Sequence, residues 1–134
     1  MSRAIEIVRL GDRPWLSPVL EEWFLSEWPT HFGVWERSRL QAFVSEHAQV
    51  EKLPIALVSC VDNEAIGTLT LRNDTIVGYE GRTPWLAGLY VVPDRRRQGV
   101  GRALVAAALT VAKGLGFQHV YAATRVETLK AAAS

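Results

Sequence analysis

Leu89-Tyr90-Val91-Val92-Pro93-Asp94-Arg95-Arg96-Arg97-Gln98-Gly99-Val100-Gly101-Arg102-Ala103-Leu104 is the stretch on which the reading of this chain turns. A mostly apolar run from Trp85 to Val92 ends at Pro93, which has no N–H for a sheet ladder and so closes a strand. An arginine-rich loop follows, and a Gly-x-Gly opens a helix over Gly99 to Lys113. The first turn of a helix carries N–H groups without intrahelical partners and the positive end of the helix dipole. Glycines let an anion approach the main chain closely, and arginines add bidentate donors. Strand, basic loop and glycine-led helix together predict a phosphate cradle. The competing reading of Arg95, Arg96, Arg97 and Arg102 is a solvated helix entry or a nucleic-acid contact, and a net charge of only +1 argues against the latter.

Two nucleotide motifs fail on residue type. A P-loop needs Lys and then Ser or Thr after its second glycine, whereas Arg102 and Ala103 follow Gly101. A dinucleotide fingerprint needs Gly or Ala five positions after Gly99, and Leu104 stands there.

Working outward, the helix after the cradle shows Val100, Leu104, Ala108, Val111 and Leu115 in a stripe, with Gly114 and Gly116 as its stop. His119 to Thr124 reads as the next strand, and Val126 to Ala133 as the beginning of a last helix. Upstream of the cradle, Asn73 to Pro84 is a loop. Pro54 to Val61 and Glu64 to Arg72 are strands joined at Asp62-Asn63, a hairpin signature. Before them, Val34 to about Val50 and Asp12 to about Ser26 read as helices broken by Trp28 to Gly33, and Ala4 to Leu10 as a first strand. The predicted order is β-α-α-β-β-β-α-β-α, an α/β fold with a mixed central sheet flanked by helices. Trp85 to Val92, nearly all apolar, predicts a strand buried on both faces.

The 134 residues, 49% hydrophobic and 22% charged, predict one globular domain over 1–134. The single cysteine, Cys60, lies in an apolar run and reads as a core residue; no internal disulfide is open to the chain. No segment approaches the ~20 apolar residues of a membrane span, and the first residues lack the apolar core of a signal peptide. The expectation is a cytoplasmic protein with no membrane or nucleic-acid partner. No metal-ligand spacing is present.

The central stretch resembles that of the GNAT N-acetyltransferase family, in which an apolar strand closing with Val-x-Pro leads into Gln/Arg-x-x-Gly-x-Gly/Ala at a helix start. Here these are Val91-Val92-Pro93 and Arg96-Arg97-Gln98-Gly99-Val100-Gly101. The element order is also similar over nearly the whole chain. The resemblance implies an acyl-CoA N-acyltransferase fold and an acetyl-CoA-dependent N-acetyltransferase that passes an acetyl group directly to a primary amine of a small molecule or peptide. It implies that N–H groups of Arg96, Arg97, Gln98, Gly99, Val100, Gly101 and Arg102 hold the pyrophosphate of the co-substrate acetyl-CoA. Leu89, Tyr90 and Val91 would pair with the pantetheine arm where this strand splays from the strand near His119 to Thr124, and a main-chain N–H, that of Val91, would polarise the acetyl carbonyl.

Acetyl transfer also needs proton acceptors and donors. The family often supplies an acid as a tyrosine on its last helix, but Tyr79, Tyr90 and Tyr121 all lie before Val126. Tyr90, on the cradle strand, and Glu80, in the loop before it, are the catalytic candidates, each weighed against a packing or solvent role. His31 is a further base candidate, while His47 and His119 carry no partner signal. Trp15 and Trp23 read as core; Trp28 and Trp35 flank the loop that shapes the family's acceptor site. The closing strands usual in the family have no counterpart in this reading, whose tail Lys130-Ala131-Ala132-Ala133-Ser134 lacks strand character. That leaves as alternatives a catalytically impaired coenzyme A-binding module, or a truncated chain that completes its sheet as a homodimer.

Overall fold

A computed structural model describes residues 4–73, 78–123 and 129–133. The chain runs through β1 (Glu6–Arg9), α1 (Ser17–Glu27), α2 (Pro29–Phe32), α3 (Arg37–Glu46), β2 (Ile55–Val61), β3 (Glu64–Arg72), β4 (Trp85–Val91), α4 (Val100–Gly114), β5 (Val120–Ala123) and β6 (Leu129–Ala133). The strands form one sheet in sequence order, antiparallel throughout except for the parallel pair β4–β5, which α4 connects.

Strand β2 shows how one sequence serves two cores. Every residue of it is buried, because helices cover both faces. Side chains alternate along a strand, so Ile55 and Leu57 join the core under α4 while Ala56, Val58 and Cys60 join the core under α1 and α3. The hairpin to β3 turns at Asp62 (φ 53°) and Asn63 (φ 69°). Both angles are left-handed, as a type I′ turn requires, and Asp and Asn tolerate them. On the opposite side, α4 presents Val100, Leu104, Ala108 and Ala112 at successive i+4 spacing to the sheet. Burying Leu104 completely stabilises the fold by about 1.5–3 kcal/mol.

Several expectations need correction. The first predicted helix is preceded by two 3₁₀ turns, Leu10–Asp12 and Pro14–Leu16, so α1 itself starts at Ser17. Trp15 consequently points outward and is 69% exposed rather than core. The break between the first two helices contains the short α2. Strand β4 is not buried on both faces: beyond Trp85 its residues are half-buried, and Leu89 is 45% exposed. Its apolar composition serves an open groove instead of a closed layer.

The predicted last helix is also overturned. Leu129–Ala133 is a strand, antiparallel to β5 with Ala122 opposite Lys130 and Ala123 opposite Leu129. It pairs an edge of β5 that would otherwise present bare N–H and C=O groups. One closing strand is therefore present. The start of that predicted helix, residues 126–128, lies outside the described residues, as do residues 74–77 of the predicted loop. No described helix is long and apolar enough to cross a membrane.

Candidate functional site

The cradle is built where β4 hands over to α4. A 3₁₀ turn, Pro93–Arg95, follows the strand, and Arg97 (φ 65°) and Gly99 (φ 86°) then both adopt left-handed backbone. Arginine is strained there by about 1–3 kcal/mol, the kind of local cost concentrated at binding sites. Left-handed residues in such a loop turn successive N–H groups toward one side and form an anion-binding concavity. Among the described backbone hydrogen bonds, none is donated by residues 97–102; the first to donate is Ala103, to the Gly99 carbonyl at 3.0 Å. A Cβ on Gly99 would meet nothing within 4 Å, so this position opens outward.

Two side chains fix the loop. Gln98 Nε2 donates to the Asp94 carbonyl at 3.0 Å. Arg96 Nε donates to the Val91 carbonyl at 2.7 Å, and its guanidinium lies 5.6 Å from the centre of the Tyr90 ring. The resulting cavity has a volume of about 490 Å³. Leu89 and Val91 of β4 form one wall, Arg95, Arg96 and Arg97 a second, and Gly99 to Arg102 with Val105 the helix side.

Strands β4 and β5 part beside this cavity. Their pairing consists of Trp85 opposite Tyr121 and Leu86 opposite Ala122 and goes no further along β4. On its other edge β4 stays paired with β3, but with a bulge between Thr68 and Thr70. Gly88 sits at the bulge with φ 67°, a conformation glycine adopts without cost. Thr70 Oγ1 donates to the Ala87 carbonyl at 2.6 Å and holds the bulge. Beyond it, Val92 N–H donates to Ile66 on β3 at 2.9 Å. Alternation along the ladder then turns the Val91 N–H the other way, into the gap on the β5 side.

A second cavity, about 410 Å³, opens on the α1–α3 side of the bulge. Its floor is Ala87, Gly88 and Thr70, its walls Phe24, Trp28, Phe32 and Phe43, and His31 and Arg72 reach it as well. The rings interlock, with Phe24 to Phe32 at 5.4 Å and Phe32 to Phe43 at 5.3 Å between centroids. Arg72 lies 4.9 Å over Phe43 and bonds to His47 Nε2. His47 is buried, and its Nδ1 lies 2.7 Å from the Phe43 carbonyl.

Of the residues named from sequence, Leu89, Val91, Arg96, Arg97, Gly99, Val100, Gly101 and Arg102 all line the cradle. Gln98 braces it from behind. Tyr90 faces the opposite side of β4, where its ring packs 5.1 Å from Trp23. Glu80 stands apart from both cavities on an exposed turn. There its carboxyl is held below its usual pKa, first by its own backbone N–H and then by that of Gly78, 3.2 Å away. Cys60 is buried, and burial pushes its thiol pKa up. The sequence reading missed Val105 in the cradle, and missed the joint placement of Phe43, His47 and Arg72. Helical periodicity marked Phe43 as apolar, but nothing local links it to a histidine four residues on and an arginine in another strand. Among the described residues no cluster of His, Cys, Asp and Glu has the makings of a metal site.

Known proteins share this fold. Residues 18–133 match the model of the acetyltransferase (GNAT) family. The chain is 38% identical over 92 residues to an aminoglycoside N(6′)-acetyltransferase type 1 of Klebsiella aerogenes, covering 66% of this chain and 59% of that protein. It is 29% identical over 118 residues to a protein of the same name from Stenotrophomonas maltophilia, covering 79% and 77%. The chain thus spans less than two thirds of the length of the Klebsiella relative. Among solved structures, the aminoglycoside N-acetyltransferase AAC(6′)-Iy in complex with CoA superposes with a TM-score of 0.73 at 21% identity, over 94% of this chain and 80% of that one. A GNAT acetyltransferase of Brucella melitensis in complex with acetyl-CoA gives 0.64 at 18%, over 93% and 79%. At these identities the likeness is one of fold. With the family model reaching from the first turn of α1 to the end of β6, the chain belongs to the acetyltransferase (GNAT) family.

Proposed function

We propose that this chain is an acetyl-CoA-dependent N-acetyltransferase acting on a primary amine by direct transfer. The observation that carries the reading is the alignment of two unused sets of backbone donors. One is the set of N–H groups at residues 97–102, at the head of α4. The other is the β4 edge left without a partner beyond Leu86.

The residues present fit the co-substrate. The helix head, its dipole and the four arginines suit a pyrophosphate. The exposed β4 edge at Leu89 and Val91 suits the amide-bearing pantetheine arm, which pairs as a strand would. Acetyl-CoA supplies the thioester. The Val91 N–H, turned into the gap, polarises the acetyl carbonyl. In the transfer the acceptor nitrogen bonds to the carbonyl carbon, the carbon–sulfur bond breaks, and the proton lost by nitrogen is balanced by one gained at sulfur.

The second cavity, on the far side of Gly88, receives the acceptor. Of its lining, His31 carries a ring nitrogen that can take the amine's proton, whereas the Arg72 guanidinium offers donors only. Tyr90, clamped between Trp23 and Arg96, is the relay on the strand itself. Glu80, on an exposed turn apart from both cavities, is assigned no role in this reading. Aminoglycosides, named as substrates in the names of the curated relatives, belong in the acceptor panel to be tried.

Calorimetric titration with acetyl-CoA, and with NADH as control, tests the cradle; release of free thiol in the presence of amines tests transfer. Selective binding with thiol release is the expected result. Binding without release from a broad amine panel would leave a coenzyme-binding module, and no binding by the folded chain would refute the cradle.

A further inference from the structure

We infer that the acceptor is a monoamine on an aromatic or apolar body, not a polycationic aminosugar. The inference rests on reading the cavity beside Gly88 as the acceptor site. The walls are the faces and edges of Phe24, Trp28, Phe32 and Phe43. An aromatic wall of this kind gains by removing apolar area from water, and its π faces attract a single cationic or polar amine head. Each further ammonium on a ligand brings three N–H donors and a charge that need acceptors once desolvated. Among the described residues lining the cavity there is no Asp or Glu to take them. Its permanently charged member is Arg72, fixed over Phe43 and against His47.

The amine head also has a defined place. Ala87 and Gly88 make the floor next to the bulge, and the β4 edge that faces the thioester begins one residue further on. An aromatic body resting among the rings therefore directs its aminoalkyl arm across Gly88 along β4 toward Val91.

Ligand-observed NMR with the 134-residue chain tests this without requiring turnover. The probes are 2-phenylethylamine and kanamycin, each titrated in the presence of saturating CoA and again in its absence. The expected result is 2-phenylethylamine binding at least tenfold tighter than kanamycin. In His31→Glu, which adds a carboxylate at an exposed lining position, the ratio should move toward kanamycin by about tenfold. Equal or tighter kanamycin binding by the native chain overturns the inference, as does a ratio that His31→Glu leaves unchanged. Thiol release is recorded on parallel samples in which acetyl-CoA replaces CoA. Tight 2-phenylethylamine binding without thiol release would sustain the acceptor class while refuting the transferase reading, so the two fail separately.

Discussion

Gly101→Glu should separate coenzyme binding from folding. Gly101 occupies the second position of α4, and a Cβ there would lie 3.9 Å from Leu89 Cδ2, an ordinary contact. Nothing in the fold must move to admit the Cβ. Replacing glycine in a helix gains up to about 1 kcal/mol, and a carboxylate in the first turn gains roughly 0.3–1 kcal/mol from the dipole. The variant should therefore melt at or above the native temperature. Its carboxylate, however, shares the cavity wall with Leu89. At ~5 Å from the nearest phosphate charge and an effective dielectric near ~20, repulsion amounts to about 3 kcal/mol. That is roughly a hundredfold loss of acetyl-CoA affinity. Gly101→Gln, similar in volume and uncharged, should lose much less. The assay is paired calorimetric titration and thermal melting of the three proteins. A folded Gly101→Glu protein that binds acetyl-CoA within threefold of native would refute the placement of the pyrophosphate, and equal losses in Glu and Gln would refute the electrostatic account.

Gly99→Ala meets no steric obstacle but must hold a left-handed φ of 86°. It should cost about 1 kcal/mol, lowering the melting temperature by roughly 3–5 °C, and weaken acetyl-CoA by tilting the N–H groups of the cradle. Cys60 has a thiol pKa raised above 9.0, first by burial, with Arg13 opposing the shift. A raised pKa means its stabilising contribution is complete below 9.0 and is lost as pH climbs toward the raised value. Native protein should thus resist thiol reagents at pH 8 until unfolded. Cys60→Ala should flatten the fall of stability above pH 9, and rapid labelling of the folded chain would contradict the burial.

The parts of this molecule legible in the sequence are those that are local along the chain. The cradle lies within Leu89 to Val105, so its strand, loop and helix head could be read as one motif. The β2–β3 hairpin is equally local, since Asp62-Asn63 sits between two apolar runs. The second cavity is different: it draws on α1, α2, α3, β3 and β4, and Phe24 and Arg72 meet there only because the sheet brings them together. The tail fails for another reason. Leu129-Lys130-Ala131-Ala132-Ala133 has high intrinsic helix propensity, but an unpaired strand edge beside it offers a full ladder of hydrogen bonds. Tertiary pairing outweighs a preference of tenths of a kcal/mol per residue. Trp15 shows the same limit for burial. Its neighbours follow helical periodicity, yet the two 3₁₀ turns before α1 rotate it out to solvent.

Strand β4 joins the two cavities through one irregularity. In a regular strand, alternate residues keep to one face for its whole length, so a residue and its second neighbour would look into the same space. The bulge at Gly88 breaks that parity. Ala87 and Gly88 border the aromatic cavity, whereas Leu89 and Val91 border the cradle, and Tyr90 returns to the aromatic side against Trp23. At ~3.3 Å per residue, Gly88 and Val91 are about 10 Å apart along the strand, so the two cavities open off one short stretch of β4. A larger residue at position 88 would have to adopt the same positive φ with Thr70 Oγ1 at 3.5 Å from its Cβ. The glycine inside an otherwise apolar strand is thus the sequence feature that lets a single element border the cradle on one side and the aromatic cavity on the other.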